Sequence, residues 1–152
     1  MSSSSSVTLS DSISVAGKID SSASVNLKAG VIVNGKINAS GGIALDGRQG
    51  GVITVGEGVK ASGGVEIRGD VVVREDVKGS GSILLEGLGG EIRIGGKVDT
   101  SSSLRVKGNV EIGGDFKTSG ATFEGVGKIV VRGEVATSGM VTIVEDGDVT
   151  VW

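Results

Sequence analysis

The sequence predicts an all-β protein, a single-stranded β-solenoid whose chain winds into about eight triangular coils of ~18 residues each. Three observations predict it: a recurring serine turn, apolar residues in fixed columns, and the overall composition. Gly accounts for 29 of the 152 residues and Pro for none, which suits many short strands joined by tight turns. No long stretch places apolar residues at the helical spacing i, i+3, i+4, i+7.

The serine turn gives the repeat its length. A small residue, then Ser and usually Gly, recurs at steps of 18, 22, 18, 21, 18 and 19 residues. The serines are Ser22, Ser40, Ser62, Ser80, Ser101, Ser119 and Ser138. We interpret this turn as a structural corner, where each hydroxyl bonds the local backbone or the neighbouring coil and Gly supplies backbone angles closed to branched residues.

Apolar residues between the turns fall into five columns, with period 2 inside each short run. That spacing is typical of short strands with one buried face. The first column reads Val7, Val25, Ile43, Val65, Ile83, Leu104, Phe123, Val141, and the second reads Leu9, Leu27, Leu45, Ile67, Leu85, Val106, Gly125, Ile143. The other three columns run from Ile13 to Val149, from Val15 to Val151 and from Ile19 to Val135. We interpret Phe123 beside Gly125 as a large-for-small exchange that preserves core volume.

The remaining segments fit this scheme. Extra residues at 46–51 and 86–90 are rich in turn formers, so we expect short loops at the corner between the first and second strands. The polar run at residues 1–6 predicts a disordered tail, and residues 7–152 form the solenoid domain.

Two outward columns have a distinctive composition. One alternates in charge through Lys28, Asp46, Arg68, Glu86 and Lys107, which favours one stacking register. The other lies on the middle strand and contains the branched apolar residues Ile32, Val72 and Val130. Ordinary strand composition explains this second column, and the alternative is a face for lateral contact between rods.

Composition argues against several function classes. The chain has no Cys and no His, so it lacks thiolate metal ligands and the commonest general base. We expect no enzyme activity, no cofactor, no metal and no small-molecule substrate. Charges are interspersed and the net charge is −3, so we expect no nucleic acid partner.

The predicted cellular location also rests on patterns that the sequence lacks. No apolar run approaches the ~20 residues of a membrane span, and the first residues lack the pattern of a secretory signal. We therefore expect a cytoplasmic protein, and we regard membrane attachment as doubtful. The tripeptide Arg68-Gly69-Asp70 invites an adhesion interpretation, but it lies in the first strand and its corner, and we interpret it as chance.

The ends of the solenoid carry the functional argument. Monomeric solenoids cap their terminal coils, whereas strand patterning here runs from Val7 to Val151. Exposed strand edges template further pairing, and burial of five or six aliphatics at a junction contributes on the order of 10 kcal/mol before association costs. We predict a structural, filament-forming protein that polymerises end to end with itself. The predicted interface residues are Val7, Leu9, Ile13, Val15, Val141, Ile143, Val149, Val151 and Trp152.

Two alternatives stay open. One is a non-catalytic module that binds polysaccharide or ice through a flat outer face. The other is a left-handed hexapeptide scaffold that has lost catalysis, since both hands of winding accept columns of period 2.

The rows also resemble a known family. The stretch GGVEIRGDVVVREDVKGSGSILLEG, with its V-x-I-x-G-x-V strands at Val65, Ile67, Gly69 and Val71, is similar to bactofilins, the bacterial polymer-forming cytoskeletal proteins. The similarity extends over residues 7 to 151. The resemblance implies a right-handed triangular β-helix that polymerises in the cytoplasm without nucleotide, often beside the membrane.

Overall fold

The computed structural model describes residues 1–125, 127–144 and 148–151. The described residues form strands and no helices, so the all-β prediction is confirmed. The first strands are β1 Ser2–Ser3, β2 Val7–Leu9, β3 Ser14–Val15, β4 Ile19–Ser21, β5 Val25–Lys28, β6 Ile32–Val33, β7 Ile37–Ala39 and β8 Ile43–Gly47. Next come β9 Ile53–Val55, β10 Val59–Ala61, β11 Val65–Gly69, β12 Val71–Val73, β13 Val77–Gly79, β14 Ile83–Ile94 and β15 Val98–Thr100. The last are β16 Ser103–Ile112, β17 Phe116–Thr118, β18 Gly120–Glu124, β19 Lys128–Val131, β20 Val135–Thr137, β21 Val141–Val144 and β22 Asp148–Val151.

The strands stack in parallel on three faces of a rod, with about eight coils along it. The first face contains β2, β5, β8, β11, β14, β16, β18 and β21. The second face contains β3, β6, β9, β12, the later parts of β14 and β16, β19 and β22. The third face contains β1, β4, β7, β10, β13, β15, β17 and β20. The predicted β-solenoid is therefore confirmed, because each strand pairs with its copy one coil away.

Register follows the predicted columns over most of the chain. Ile19 pairs with Ile37 on the third face, and Val59 pairs with Val77. Inward residues of the central coils, such as Ile67, have no exposed surface. The core is one continuous stack of aliphatic side chains, in which each coil covers the apolar face of its neighbour.

One part of the predicted register is wrong. Ala121, not Phe123, pairs with Leu104 and Val141, while Phe123 pairs with Val106 and Ile143. The reason is a shorter corner: one residue, Gly120, lies between Ser119 and the inward Ala121, whereas two residues lie between each of the other column serines and the next inward residue. A large side chain still lies beside a small one in the same strand, but the small residue next to Phe123 is Ala121 and not Gly125. Phe123 also packs against Phe116, with ring centroids 5.6 Å apart.

Gly125 belongs to a different column from the one predicted. It follows Glu124, which pairs with Lys107, and so it lies above Gly108 at the first corner. The same corner contains Gly47, Gly69 and Gly87. A side chain at Gly87 would collide with the carbonyl oxygen of Asn109, so close stacking of the corners requires the missing Cβ.

The start of the chain also differs from the predicted boundary. Ser2 and Ser3 pair in parallel with Asp20 and Ser21 as a strand of the third face. The amino group of Met1 donates to the Lys18 carbonyl at 2.7 Å. Part of the segment predicted as a tail therefore forms a further rung of the rod, because its backbone groups find partners on the third face.

Side chains of Asp and Asn fasten successive corners. The Asp70 Oδ1 accepts the backbone N–H of Glu91 at 2.8 Å, and the Asn109 Oδ1 accepts that of Lys128 at 3.0 Å. At the corner before the third face, the Asp76 Oδ1 accepts the N–H of Lys97 at 3.0 Å. These bonds give backbone donors at the corners side-chain acceptors in the preceding coil.

The two insertions lie where they were expected, between the first and second strands. After β8, residues 48–50 form a turn, and Gly50 and Gly51 have φ values of 86° and 95°. In β14 the ladder to β16 shifts between Gly87 and Glu91. Both insertions leave the inward columns in register.

Candidate functional site

The C-terminal coil exposes inward-column residues that are buried elsewhere. Ile143 is 60% exposed and Val141 42% exposed, whereas their register partners Phe123 and Ala121 are 2% and 3% exposed. Val151 is 52% exposed and Val149 is half-buried. These predicted interface residues therefore lie together on one apolar surface at this end of the rod.

Two further residues enlarge that surface. Met140 is 78% exposed and Val144 is 49% exposed, and neither was predicted as part of the interface. Met140 is bulky at a corner position that holds Gly or Ser in the coils below it. That departure from the small-residue pattern was the signal in the sequence. Trp152 lies outside the described residues.

The backbone of this coil also has donors directed along the rod. N–H groups of inward residues donate to the following coil, as Val7 does to the Ser24 carbonyl and Ala121 to the Met140 carbonyl. Val141 occupies the same column, and the described residues contain no following coil. Within residues 1–125, 127–144 and 148–151, the C-terminal edge therefore combines exposed apolar area with strand N–H groups that have no strand beyond them.

The N-terminal coil exposes less of its inward columns. Val7 is only 6% exposed, and Leu9 and Val15 are half-buried. Ile13 is the most exposed of the predicted residues there, at 38%. Residues before Val7 bond to the next coil, where the Ser21 hydroxyl donates to the Ser5 carbonyl at 2.9 Å.

Charges form a ladder on the first face that stops short of both ends. Residues of alternating sign pair in register through Lys28, Asp46, Arg68, Glu86, Lys107 and Glu124. The Arg68 Nε lies 3.8 Å from Glu86, and the Lys107 Nζ lies 3.5 Å from Glu124. In the same column the first coil has Ser10 and the last has Val144. The predicted alternation is confirmed, with Glu124 as an added member.

Asp46 is the most strongly held acid of this ladder. Its carboxylate accepts bonds from the Arg48 side chain at 2.8 and 2.7 Å. Hydrogen bonds from the Arg48 side chain lower the pKa of Asp46 to about 2, although partial burial opposes the shift. Asp46 therefore remains charged at any pH at which the rod is expected to work.

The serine corner behaves as a structural column. The Ser119 hydroxyl donates to the Ser101 carbonyl at 2.7 Å, and the Ser101 hydroxyl donates to the Ser80 carbonyl at 3.1 Å. Just inside it, the Thr118 hydroxyl donates to the Ser102 carbonyl at 2.7 Å. These hydroxyls therefore tie successive coils together.

The proposed lateral face is smaller than the sequence suggests. Ile32 is 42% exposed and Val72 is half-buried, but Val130 is 8% exposed and offers almost no surface. Glu111 stacks beneath Val130, and its carboxylate accepts a bond from Arg132 at 2.7–2.8 Å. This ion pair lies beside Val130. Lateral contact would therefore rest on Ile32 and Val72.

The Arg68-Gly69-Asp70 tripeptide is used within the fold. Arg68 stacks between Asp46 and Glu86, Gly69 has φ 75°, and Asp70 binds the Glu91 amide. All three residues therefore have roles within the fold.

The described residues contain no helix with the length and apolarity needed to cross a membrane. They also contain no group of three or more Asp and Glu side chains placed to hold a metal ion.

These features define the class: a parallel β-solenoid with an apolar terminal coil. Comparison with known proteins finds no match, neither among protein-family models nor among curated proteins or solved structures.

Proposed function

We propose that this chain is a non-catalytic structural protein that polymerises end to end through its terminal coils, without nucleotide. The observation that carries the proposal is the apolar surface of the C-terminal coil, where Val141, Ile143 and Val151 are between 42% and 60% exposed. A single coil cannot bury its own apolar face, and a second rod stacked on it would continue the internal packing.

The outward positions of the terminal rungs support the proposal. Thr8 and Ser14 at one end and Thr142 and Thr150 at the other continue the outward columns. All four are uncharged, whereas inner coils place Arg93 and Glu111 in the column of Ser14 and Thr150. Charged exceptions are Asp148, at the start of β22, and at the other end Asp11 and the Met1 amino group. A junction therefore desolvates few charges, which favours association.

The columns of the two ends are also compatible. In head-to-tail stacking, Val141 would lie on Val7 and Ile143 on Leu9 of the next copy, so that aliphatics meet aliphatics. Like-to-like stacking would also bury aliphatics, and it gives a filament without polarity instead of a polar one. Burial of the exposed parts of about five side chains contributes on the order of 5–10 kcal/mol before the cost of association. Assembly should therefore depend on concentration.

The relation to bactofilins is part of the same proposal. Val65, Ile67 and Val71 of the family-like V-x-I-x-G-x-V stretch are all fully buried, as stacked coils require. We propose a right-handed winding and a cytoskeletal role in the cytoplasm on the strength of that resemblance.

Sedimentation velocity over a range of concentrations tests this function. Wild-type protein should form faster-sedimenting species as concentration rises, while Ile143→Lys should sediment as a single rod. Val52→Lys changes an aliphatic residue that is 47% exposed just before β9, away from both ends, and as the matched control it should assemble like wild type. Wild-type protein that remains a single rod at its highest soluble concentration would overturn the proposal.

A further inference from the structure

A groove runs along the first face, beside the serine corner. Its volume is about 760 Å³. Along its length, one outward column contributes Asn26, Ala44, Glu66, Leu84, Arg105 and Thr122. These residues occupy six successive coils, so at ~4.8 Å per coil the groove is roughly 24 Å long. A ligand that fills it must be a linear chain parallel to the rod axis.

The floor of the groove is narrow and made of small residues. Gly42 and Gly64 lie in the corner column where the neighbouring coils have Ser24 and Ser82. Ala44 stands between Asn26 and Glu66 in register. Small residues in the middle of the column make the surface concave there, and Ala44 and Leu84 give it apolar area.

The rim of the groove is polar and electrically balanced. It contains the hydroxyls of Ser24, Ser82 and Ser103, the amide of Asn26, and one charge of each sign at Glu66 and Arg105. The Glu66 carboxylate lies 3.4 Å from the Arg68 guanidinium and the Arg105 Nε lies 3.2 Å from the Glu124 carboxylate, yet the Glu66 and Arg105 side chains remain 58% and 61% exposed. A polyanion such as nucleic acid would need a basic stripe, which this rim does not provide.

An extended peptide also fits poorly. Peptides commonly join a sheet by adding a strand at a free edge, but the first-face strands along the groove are paired with a strand on each side. Their backbone groups are therefore already used. Recognition in this groove has to come from side-chain hydroxyl, amide, carboxylate and guanidinium groups placed once per coil.

We propose that this groove binds an uncharged, extended polysaccharide such as a β-1,4-linked glycan, with about one sugar per coil. Sugars carry hydroxyls on their edges for Asn26, Glu66 and Arg105 to bond, and C–H faces to lie on Ala44 and Leu84. The repeat of an extended glycan is close to the coil spacing, so successive sugars meet successive rungs. This activity is separate from end-to-end assembly, and it would place a filament along a glycan chain.

The test uses the 152-residue protein and two probes. Isothermal titration calorimetry measures binding of cellohexaose, and affinity electrophoresis measures binding of hydroxyethyl cellulose. Wild type should bind both. Ala44→Arg should block the groove without unfolding the rod, because the new side chain is placed outward beside Glu66. Glu66→Ala should weaken cellohexaose binding about tenfold, the change expected from losing one charge-assisted hydrogen bond.

Lys117→Ala on the third face is the matched control, and it should bind like wild type. Circular dichroism confirms that each variant is folded. The proposal is overturned if wild type does not bind, if Ala44→Arg and Glu66→Ala both bind like wild type, or if the third-face control loses binding as well. Ile143→Lys should still bind, so a failure of assembly and a failure of glycan binding are told apart.

Discussion

The two ends of the rod occupy the same columns but expose different amounts of apolar surface. Val7 and Val141 share one column, yet Val7 is 6% exposed and Val141 is 42% exposed. In the next column Leu9 is half-buried, whereas Ile143 is 60% exposed. The C-terminal coil is therefore the more apolar end.

The difference has a local cause. At the N-terminal end, residues 1–6 bond to the coil above through the Met1 amino group and through the Ser5 carbonyl. At the C-terminal end, Met140 and Val144 instead add exposed apolar area. Residues of the same column therefore expose different apolar areas at the two ends. Removing apolar side chains from the C-terminal coil should have the larger effect on assembly.

The largest expected effect is on assembly itself. Ile143→Lys should abolish it, because a junction at that end would bury an unpaired ammonium group. Leu9→Ala should weaken assembly less than Ile143→Ala, because Leu9 has less exposed apolar surface to bury at a junction. Size-exclusion chromatography with light scattering measures all three variants, and equal loss in the two alanine variants would contradict the difference between the ends.

A core substitution tests whether the middle of the rod is more tightly packed than its end. Phe116 is fully buried and packs on Phe123, so Phe116→Ala should lower the free energy of unfolding by about 3–5 kcal/mol. Val141→Ala, at the exposed end, should cost less than about 1 kcal/mol. Urea denaturation in the Ile143→Lys background, where assembly does not contribute, measures both. Similar losses would show that the terminal coil is as well packed as the middle.

A corner bond provides the next test. Asp70→Ala leaves the Glu91 amide without its acceptor at the first corner, and it should cost about 1–2 kcal/mol. Glu75→Ala is the control, because Glu75 is exposed, and it should change stability by less than about 0.5 kcal/mol. The same denaturation assay applies. Equal effects would mean that the Asp70 bond does not hold the central coils together.

The smallest effect concerns Asp46 in the charge ladder. Arg48 lowers its pKa to about 2, below the ~3.9 of an unfolded Asp. The stabilisation is therefore fully present above about pH 4 and is lost as pH falls towards 2. It should amount to about 1 kcal/mol or less, because the Arg48 side chain is 44% exposed and screened by solvent. Asp46→Asn should therefore be less stable than wild type near neutral pH and equally stable near pH 2. A difference in the free energy of unfolding that stays constant from pH 6 to pH 2 would contradict this assignment.

Much of the fold could be predicted because period-2 aliphatics determine which side of each strand is buried. Periodicity does not determine the register of Phe123, because a shift of two residues preserves the alternation of inward and outward side chains. Gly125 was the available signal, since a glycine closes the first strand at Gly47, Gly69, Gly87 and Gly108. The register itself is seen in the pairing of Ala121 with Val141, which places a shorter corner between β17 and β18.

The candidate site was predictable to a smaller extent. The sequence identifies which residues are inward, but exposure also depends on neighbouring side chains and on the chain before Val7. Burial of Val130 beside the Glu111–Arg132 pair illustrates the first effect, and the pairing of Ser2 and Ser3 with β4 illustrates the second. Neither follows from periodicity.

Negative-stain electron microscopy of the wild-type chain tests end-to-end assembly most directly. The expected image is an unbranched thread one rod wide, built from segments of roughly 38 Å, the length of eight coils at ~4.8 Å, and lengthening as concentration rises. Isolated short rods at every concentration, or sheets joined side by side, would contradict the account.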